Sequence, residues 1–319
     1  MRRLRDIGES GLIARIERRL ARATRSPRVR LGIGDDAALL RSRADEDWVT
    51  SSDALVEDVH FRFANQAATT IGRRALAVNL SDLAAMGATP IACTLSLAAP
   101  PELPLQLADG LVAGFVEAGI RWRCPLVGGN VTAARETSLH VSVFGGVAAG
   151  QSLRRGAVRK GDRIGVTGTL GSKALERARV ERNGGRIRRV PEPRLRAGRA
   201  LLATPGHGGC IDVSDGLLRD LEALLGSSGL GAEIDPAAVP TARGFRSAAL
   251  KEGLDPDRLA LTGGEDYELL FSLRPGGPTC AALSRRMGCR VTEIGRVVSA
   301  PGLHGVPEAL LGHPGWRHF

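Results

Sequence analysis

The stretch NLSDLAAMGATP, Asn79 to Pro90, running on into Ile91-Ala92-Cys93-Thr94-Leu95-Ser96-Leu97, decides the fold class. Its first part continues a helical pattern predicted over about residues 68 to 86, Gly87 supplies a left-handed stop, and the apolar run at 91 to 97 reads as a buried strand. A helix that turns into a strand within a few residues is the signature of an α/β layer. Working outward, further strands are expected near 48 to 52, 124 to 128 and 139 to 147, with another running into Gly34. Helices are expected over 105 to 118, stopped by Gly119, and over 10 to 23, where Ser10 would cap a face of Leu12, Ile13, Ile16 and Leu20. Past residue 150 the chain turns rich in Arg and Gly before strand signals resume at Arg163 to Thr167, Cys210 to Val213, Tyr267 to Leu273 and Cys289 to Val298. Helices are expected after Gly171, over Leu217 to Leu225 and after Pro278. The domain boundary is placed near 149 to 160, giving two α/β domains, 1–149 and 150–319.

The composition narrows the function. The chain has 319 residues and 43% hydrophobic content, enough for two cores. No apolar stretch approaches the roughly 18 to 20 residues of a membrane span, and the start, with Arg2, Arg3 and Arg5 but also Asp6 and Glu9, fits neither a signal nor a transit peptide. The five cysteines, Cys93, Cys124, Cys210, Cys280 and Cys289, are scattered without a CxxC pair, which points to a reducing cytoplasm. The net charge is +10, yet the only lysines are Lys160, Lys173 and Lys251, and aromatics amount to 3%, too few for base-stacking platforms. Nucleic acid is therefore not expected as a partner. The basic stretch Arg186 to Arg199 reads as a solvated helix face rather than an anion patch.

Four aspartate-bearing segments carry the chemistry: Gly34-Asp35-Asp36, Ser51-Ser52-Asp53, Asn79-Leu80-Ser81-Asp82 and Asp212-Val213-Ser214-Asp215-Gly216. Each alone could be a helix cap or a turn. Together they place carboxylates beside Gly, Ser or Asn at strand ends, and gathered carboxylates repel unless they share hard cations such as magnesium. Two apparent nucleotide motifs fail. Gly165 to Lys173, GVTGTLGSK, has Gly-Ser-Lys in place of the Gly-Lys-Ser or Gly-Lys-Thr order of a phosphate loop, so it reads as a strand-to-helix turn. Gly32-Ile33-Gly34 is followed by two aspartates that would repel a diphosphate unless metal lies between. The carboxylates therefore read as ligands spread over both domains, with metal and nucleotide in the cleft between them.

Taken in order, GIGDDAALL, the Ser-Asp word at 52 to 53 with LVEDVHF, NLSDLAAMGATP, GGNVT, VSDGLLRDL, GGEDYELLF and GWRHF closely resemble the thiamine-monophosphate kinase family, in words extending from residue 8 to 319. The resemblance implies an aminoimidazole ribonucleotide synthetase-like fold, α/β (α+β), whose amino-terminal domain dimerises and whose carboxy-terminal domain completes the nucleotide and substrate site. It implies a homodimer that uses ATP and Mg2+ to phosphorylate thiamine monophosphate. Carried over by motif, Asp36, Ser51, Ser52, Asp53, Asp82 and Asp212 would bind magnesium and Asp215 a further ion. Gly129, Asn130, Arg155 and Ser214 would contact ATP, while His60, Glu265 and Trp316 would contact thiamine monophosphate. Asp53, Asp82 and Arg155 would serve the transfer itself. Asn130 stands where the family is expected to carry an aspartate that ligates magnesium, and an amide oxygen offers the same ligand with one charge fewer. Ala37 and Arg317 also depart from the family words, at positions given no role here.

The phosphate acceptor explains what the sequence lacks. A phosphomonoester with a second pKa of about 6 is largely dianionic at neutral pH, so its oxygen needs no strong general base. No Ser/His/Asp or Cys/His nucleophile arrangement stands out, consistent with direct in-line transfer. The alternatives are another ATP-dependent enzyme of the same superfamily or a non-catalytic nucleotide-binding paralogue.

Overall fold

The chain divides into two compact units, Met1–Leu83 with Thr89–Gly150 and Gly185–Val190, and Ala84–Ala88 with Gln151–Gly184 and Pro191–Phe319. The computed structural model describes residues 2–20, 26–33, 37–312 and 315.

The first unit contains α1 (Gly8–Leu20), β1 (Val29–Leu31), β2 (Leu39–Leu40), β3 (Glu46–Val56), α2 (Ala68–Ala85), β4 (Thr89–Ala99), α3 (Leu105–Trp122), β5 (Leu126–Ala133) and β6 (Ser138–Ala148). Among the described residues its main sheet has the order β3-β6-β4-β5. β6 lies antiparallel to both β3 and β4, whereas β5 runs parallel to β4. Leu139, Val141 and Val143 of β6 and Leu95 and Leu97 of β4 are buried, and Leu76, Leu80 and Leu83 of α2 are fully buried with them in the core. Gly72 and Gly114 let α2 and α3 touch backbone to backbone, since a Cβ on Gly72 would strike the Leu111 carbonyl and one on Gly114 the Thr69 carbonyl.

Two boundaries differ from the expectation. Ser10 does not cap α1: the helix starts two residues earlier, at Gly8, which has φ +63 and follows a 3-10 turn closed by the Arg3 N–H donating to Asp6 at 2.7 Å. Gly119 does not stop α3, which runs on to Trp122 and ends on Arg123 at φ +55. Gly119 serves the exit instead, because its missing side chain leaves room for the Cys124 carbonyl while its own carbonyl accepts the Cys124 N–H at 2.9 Å.

The second unit contains β7 (Arg163–Thr167), α4 (Ser172–Asn183), α5 (Leu195–Leu202), β8 (His207–Asp212), α6 (Leu217–Leu225), β9 (Gly231–Ile234), α7 (Phe245–Lys251), α8 (Pro256–Thr262), β10 (Leu269–Leu273), α9 (Cys280–Met287), β11 (Val291–Val298), β12 (Gly302–His304) and α10 (Glu308–Leu311). The described sheet has the order β12-β9-β11-β7-β10-β8 and is antiparallel except where β12 meets β9. Leu217, Leu218, Leu221 and Leu224 of α6 pack into one core with Ile164, Val166, Ile211, Leu270 and Ile294 of the sheet. GVTGTLGSK is a strand-to-helix turn, with Gly168 and Gly171 at positive φ between β7 and α4. Lys173 is buried there and paired with Glu176 at 3.4 Å, which places its ammonium against a carboxylate of its own helix.

Candidate active site

In the first unit the alternation of β3 sorts the Ser51-Ser52-Asp53 word onto two faces. Ser51 is registered with Val143 and Asp53 with Val141, both on the core side, while Ser52 is registered with Ser142 on the other side. On the core side, the Ser51 hydroxyl donates to Asp82 Oδ2 at 2.6 Å, and the Asp53 N–H donates to Asn79 Oδ1 at 2.9 Å. Residues two apart on the strand thus meet residues three apart on α2, the two spacings that keep side chains on one face of each element. Asn79 is 1% exposed and ties its amide back to the Ala75 carbonyl at 2.9 Å. It ties β3 to α2, and it opens the same NLSD word as Asp82.

Ser52 is not part of this group. Its hydroxyl donates to the Val141 carbonyl at 3.1 Å and accepts from the Ser142 hydroxyl at 3.1 Å. Asp53 is exposed, its carboxylate accepting the N–H of Ala54 at 2.6 Å. Asp82 lies in the last turn of α2, a turn that carries no basic residue. A carboxylate there faces the negative end of the helix dipole, so it is unfavourable without a cation. This position excludes the cap reading, which needs a helix start.

His60 sits in the turn after β3 with its ring fixed by the Val56 N–H donating to Nδ1 at 3.1 Å, which leaves the ring proton on Nε2. The His60 carbonyl accepts from Arg74 Nη1 at 2.7 Å, and Arg74 is 1% exposed. Gly129 and Asn130 lie on β5, at the opposite edge of the sheet from β3. One row of the register runs Asp53, Val141, Leu95, Gly129, three strand spacings or about 14 Å. Within this chain, therefore, Asn130 does not share a cation with Asp53. Gly129 is required by packing, because any Cβ there would collide with the Leu95 carbonyl. Gly128 to Val131 line a cavity of about 290 Å³ with Ile13 and Ile16 of α1.

In the second unit β8 ends on the buried Asp212, and the chain turns through Ser214-Asp215-Gly216 into α6. Asp215 pairs with Arg219 at 3.2 Å. The turn that carries Glu265, at φ +70, joins this loop through the Glu265 N–H donating to the Ser214 carbonyl at 2.7 Å and the Tyr267 N–H donating to the Val213 carbonyl at 2.8 Å. Asp212, Ser214, Asp215 and Glu265 are thus brought together. Arg155 is exposed in a 3-10 turn, Arg155–Ala157, that docks on β8 where the Cys210 N–H reaches the Arg154 carbonyl at 3.3 Å. Asp36 and Trp316 lie outside the described residues. Gly315 is described, and it rests against the Asp215 carbonyl.

Two acids behave differently from a solvated turn. Glu268 is buried and held by Arg194 Nε at 2.6 Å and by the Thr167 hydroxyl at 2.6 Å, so one arginine of the basic stretch turns inward. Asp220 accepts the N–H groups of Ser214, Asp215 and Gly216. Burial pushes its carboxyl up to about 7; the charge of Asp215 adds to this, and the three N–H donors oppose it.

The donor set is hard oxygen throughout, which suits magnesium rather than a soft metal. Among the described residues no three His, Cys, Asp or Glu side chains converge on one point. Magnesium is usually held by one or two carboxylates plus substrate phosphates and water, so pairs such as Asp53 with Asp82 and Asp212 with Asp215 fit it.

Residues 34–147 match the family described as AIR synthase related protein, N-terminal domain, and the chain has the AIR synthase-like fold. Escherichia coli HypE, a hydrogenase maturation protein, shares that fold with a TM-score of 0.74 at 19% identity, over 90% of this chain and 92% of its own. Thiamine-monophosphate kinase of Mycobacterium tuberculosis is 36% identical over 326 aligned residues, covering 99% of this chain and 93% of the relative. The crystal structure of thiamine-monophosphate kinase from Stenotrophomonas maltophilia superposes with a TM-score of 0.81 at 35% identity, over 92% of this chain and 95% of that one. AaThiL complexed with AMPPCP and TMP gives a TM-score of 0.76 at 28% identity, over 100% of this chain and 99% of that one. The chain belongs to the thiamine-monophosphate kinase family and is a kinase.

Proposed function

We propose that this kinase transfers the γ-phosphoryl group of ATP to thiamine monophosphate, giving thiamine diphosphate and ADP, as a magnesium-dependent cytoplasmic homodimer. The observation that carries the reading is the end-to-end likeness to a structure complexed with AMPPCP and TMP. In the first unit Asp53, Asp82 and Ser51 hold magnesium, together with Asp36, and Asn79 fixes the strand against the helix. Ser52, on the opposite face of β3, is not among these ligands. In the second unit Asp212 and Asp215 hold magnesium, and Ser214 and Arg155 meet the nucleotide. His60, Glu265 and Trp316 meet thiamine monophosphate, His60 as a donor through Nε2–H. Gly129 and Asn130 meet ATP from the β5 edge.

The chemistry is positioning and charge neutralisation. When bound, magnesium screens two phosphate-bearing substrates that would otherwise repel. Arg155, exposed and charged, adds a guanidinium suited to phosphate oxygens. The acceptor oxygen is already anionic, so no residue need remove its proton, and transfer is in line between the two bound substrates. Phosphorus NMR of a reaction with ATP tests the reading: the single resonance of thiamine monophosphate should give way to two coupled resonances of a diphosphate. ATP consumption with that single resonance unchanged would count against it.

Asn130→Asp should lower the magnesium concentration that gives half-maximal rate, since a carboxylate restores the charge the family position usually carries. A magnesium titration with an unchanged midpoint would leave Asn130 as a β5 strand residue with no part in holding the cation.

A further inference from the structure

In the second unit one carboxylate holds the backbone from which several groups of the proposed site project. Asp220, in the first turn of α6 and 5% exposed, accepts on a single oxygen, Oδ2, the N–H groups of Ser214 at 2.9 Å, Asp215 at 3.0 Å and Gly216 at 3.2 Å. With all three donors drawn inward, the opposite groups of the loop are set. The Ser214 carbonyl receives the Glu265 N–H at 2.7 Å, and the Asp215 carbonyl faces Gly315, the residue before Trp316. Gly216, at φ +125, passes so close to Thr262 that a Cβ would meet its carbonyl, so the loop cannot shift toward α8 to replace a lost anchor. Three consecutive N–H groups at a helix entrance otherwise recruit water or an anion.

We propose that Asp220 is a positioning residue for the reaction: by gathering the N–H groups of Ser214, Asp215 and Gly216 it fixes the loop that presents Asp212 and Asp215 to metal and braces the Glu265 turn for thiamine monophosphate. It touches neither substrate. The inference rests on the proposed function for the roles of Asp212, Asp215 and Glu265, while the brace itself rests on the hydrogen bonds alone.

The test compares the unaltered chain with Asp220→Ala and Asp220→Asn. Asparagine still offers one oxygen to the same three N–H groups, and alanine offers none. Asp220→Ala is expected to raise both the KM for thiamine monophosphate and the magnesium midpoint about tenfold or more, as displacement of a catalytic frame does. It should also speed amide exchange at Ser214 to Gly216 and at Glu265, and Asp220→Asn should recover most of each change. A folded Asp220→Ala with both kinetic values unchanged overturns the proposal, as does an Asp220→Asn variant as impaired as Asp220→Ala. If Asp220→Ala does not fold, Asp220→Glu decides, because it keeps the carboxyl group but moves the acceptor by one methylene: raised values support the brace and unchanged ones overturn it. Absence of turnover in the unaltered chain would overturn the functional reading alone, and amide exchange at Glu265 would still decide the brace.

Discussion

Asp82→Asn is expected to lower turnover by about 100-fold or more while the melting temperature of the ligand-free protein stays level or rises. The two effects part company because of where Asp82 sits. In the last turn of α2 its charge opposes the helix dipole, so removing it relieves about 0.3 to 1 kcal/mol in the absence of metal. The amide oxygen of asparagine still accepts from Ser51, whose hydroxyl reaches Asp82 at 2.6 Å, so the link between β3 and α2 survives. What is lost is the carboxylate that a divalent cation needs. Circular dichroism melts beside steady-state rates at saturating magnesium check this, and a lowered melting temperature with a near-normal rate would make Asp82 a structural hydrogen-bond acceptor.

Gly129→Ala should be the most disruptive single-methyl change along the β5 edge, costing about 3 kcal/mol or more of stability. A Cβ at this position would meet the carbonyl of Leu95, and backbone cannot swing aside as a flexible side chain does. Relief requires β5 to part from β4 along the paired run from Leu95↔Gly129 to Ala99↔Ala133. Gly128→Ala provides the control, since a Cβ there meets only the Thr94 methyl at an ordinary 3.8 Å. Denaturant titrations should separate the two variants clearly, and equal midpoints would show that β5 yields more readily than its packing implies.

How much was legible in the sequence varies with how local the cause is. α2, Gly87 and β4 follow from periodicity and a glycine stop, all properties of neighbouring residues. The region 226 to 264 yielded no expected elements, yet it holds β9, α7 and α8. β9 is only four residues long and opens on Gly231, and it is a strand because β11 and β12 flank it. Gly119 and Arg123 show the limit at helix ends, where the glycine that suggests a stop instead makes space for the Cys124 carbonyl and a non-glycine residue takes the left-handed position.

The same holds in the site. Ser51, Asp53 and Asp82 were readable as types of ligand, but only the pleat of β3 separates Ser52 from them, and only strand order puts Asn130 at the far edge of the sheet. Asn79 and Asp220 carry no signal in the sequence, because an Asn within a helix and an Asp in a first helical turn have ordinary local explanations. Their partners, the N–H groups of Asp53 and of Ser214 to Gly216, become visible only when the chain is folded.

Acceptor choice is the most direct test of the proposed reaction, because the site is read as built around two anionic substrates and lacks an assigned base for an alcohol. ADP release should be measured with magnesium and ATP in three parallel reactions, containing thiamine monophosphate, thiamine or no acceptor. The result expected is ADP formation that requires thiamine monophosphate and magnesium, with thiamine no better than no acceptor. Equal turnover of thiamine and thiamine monophosphate would contradict it.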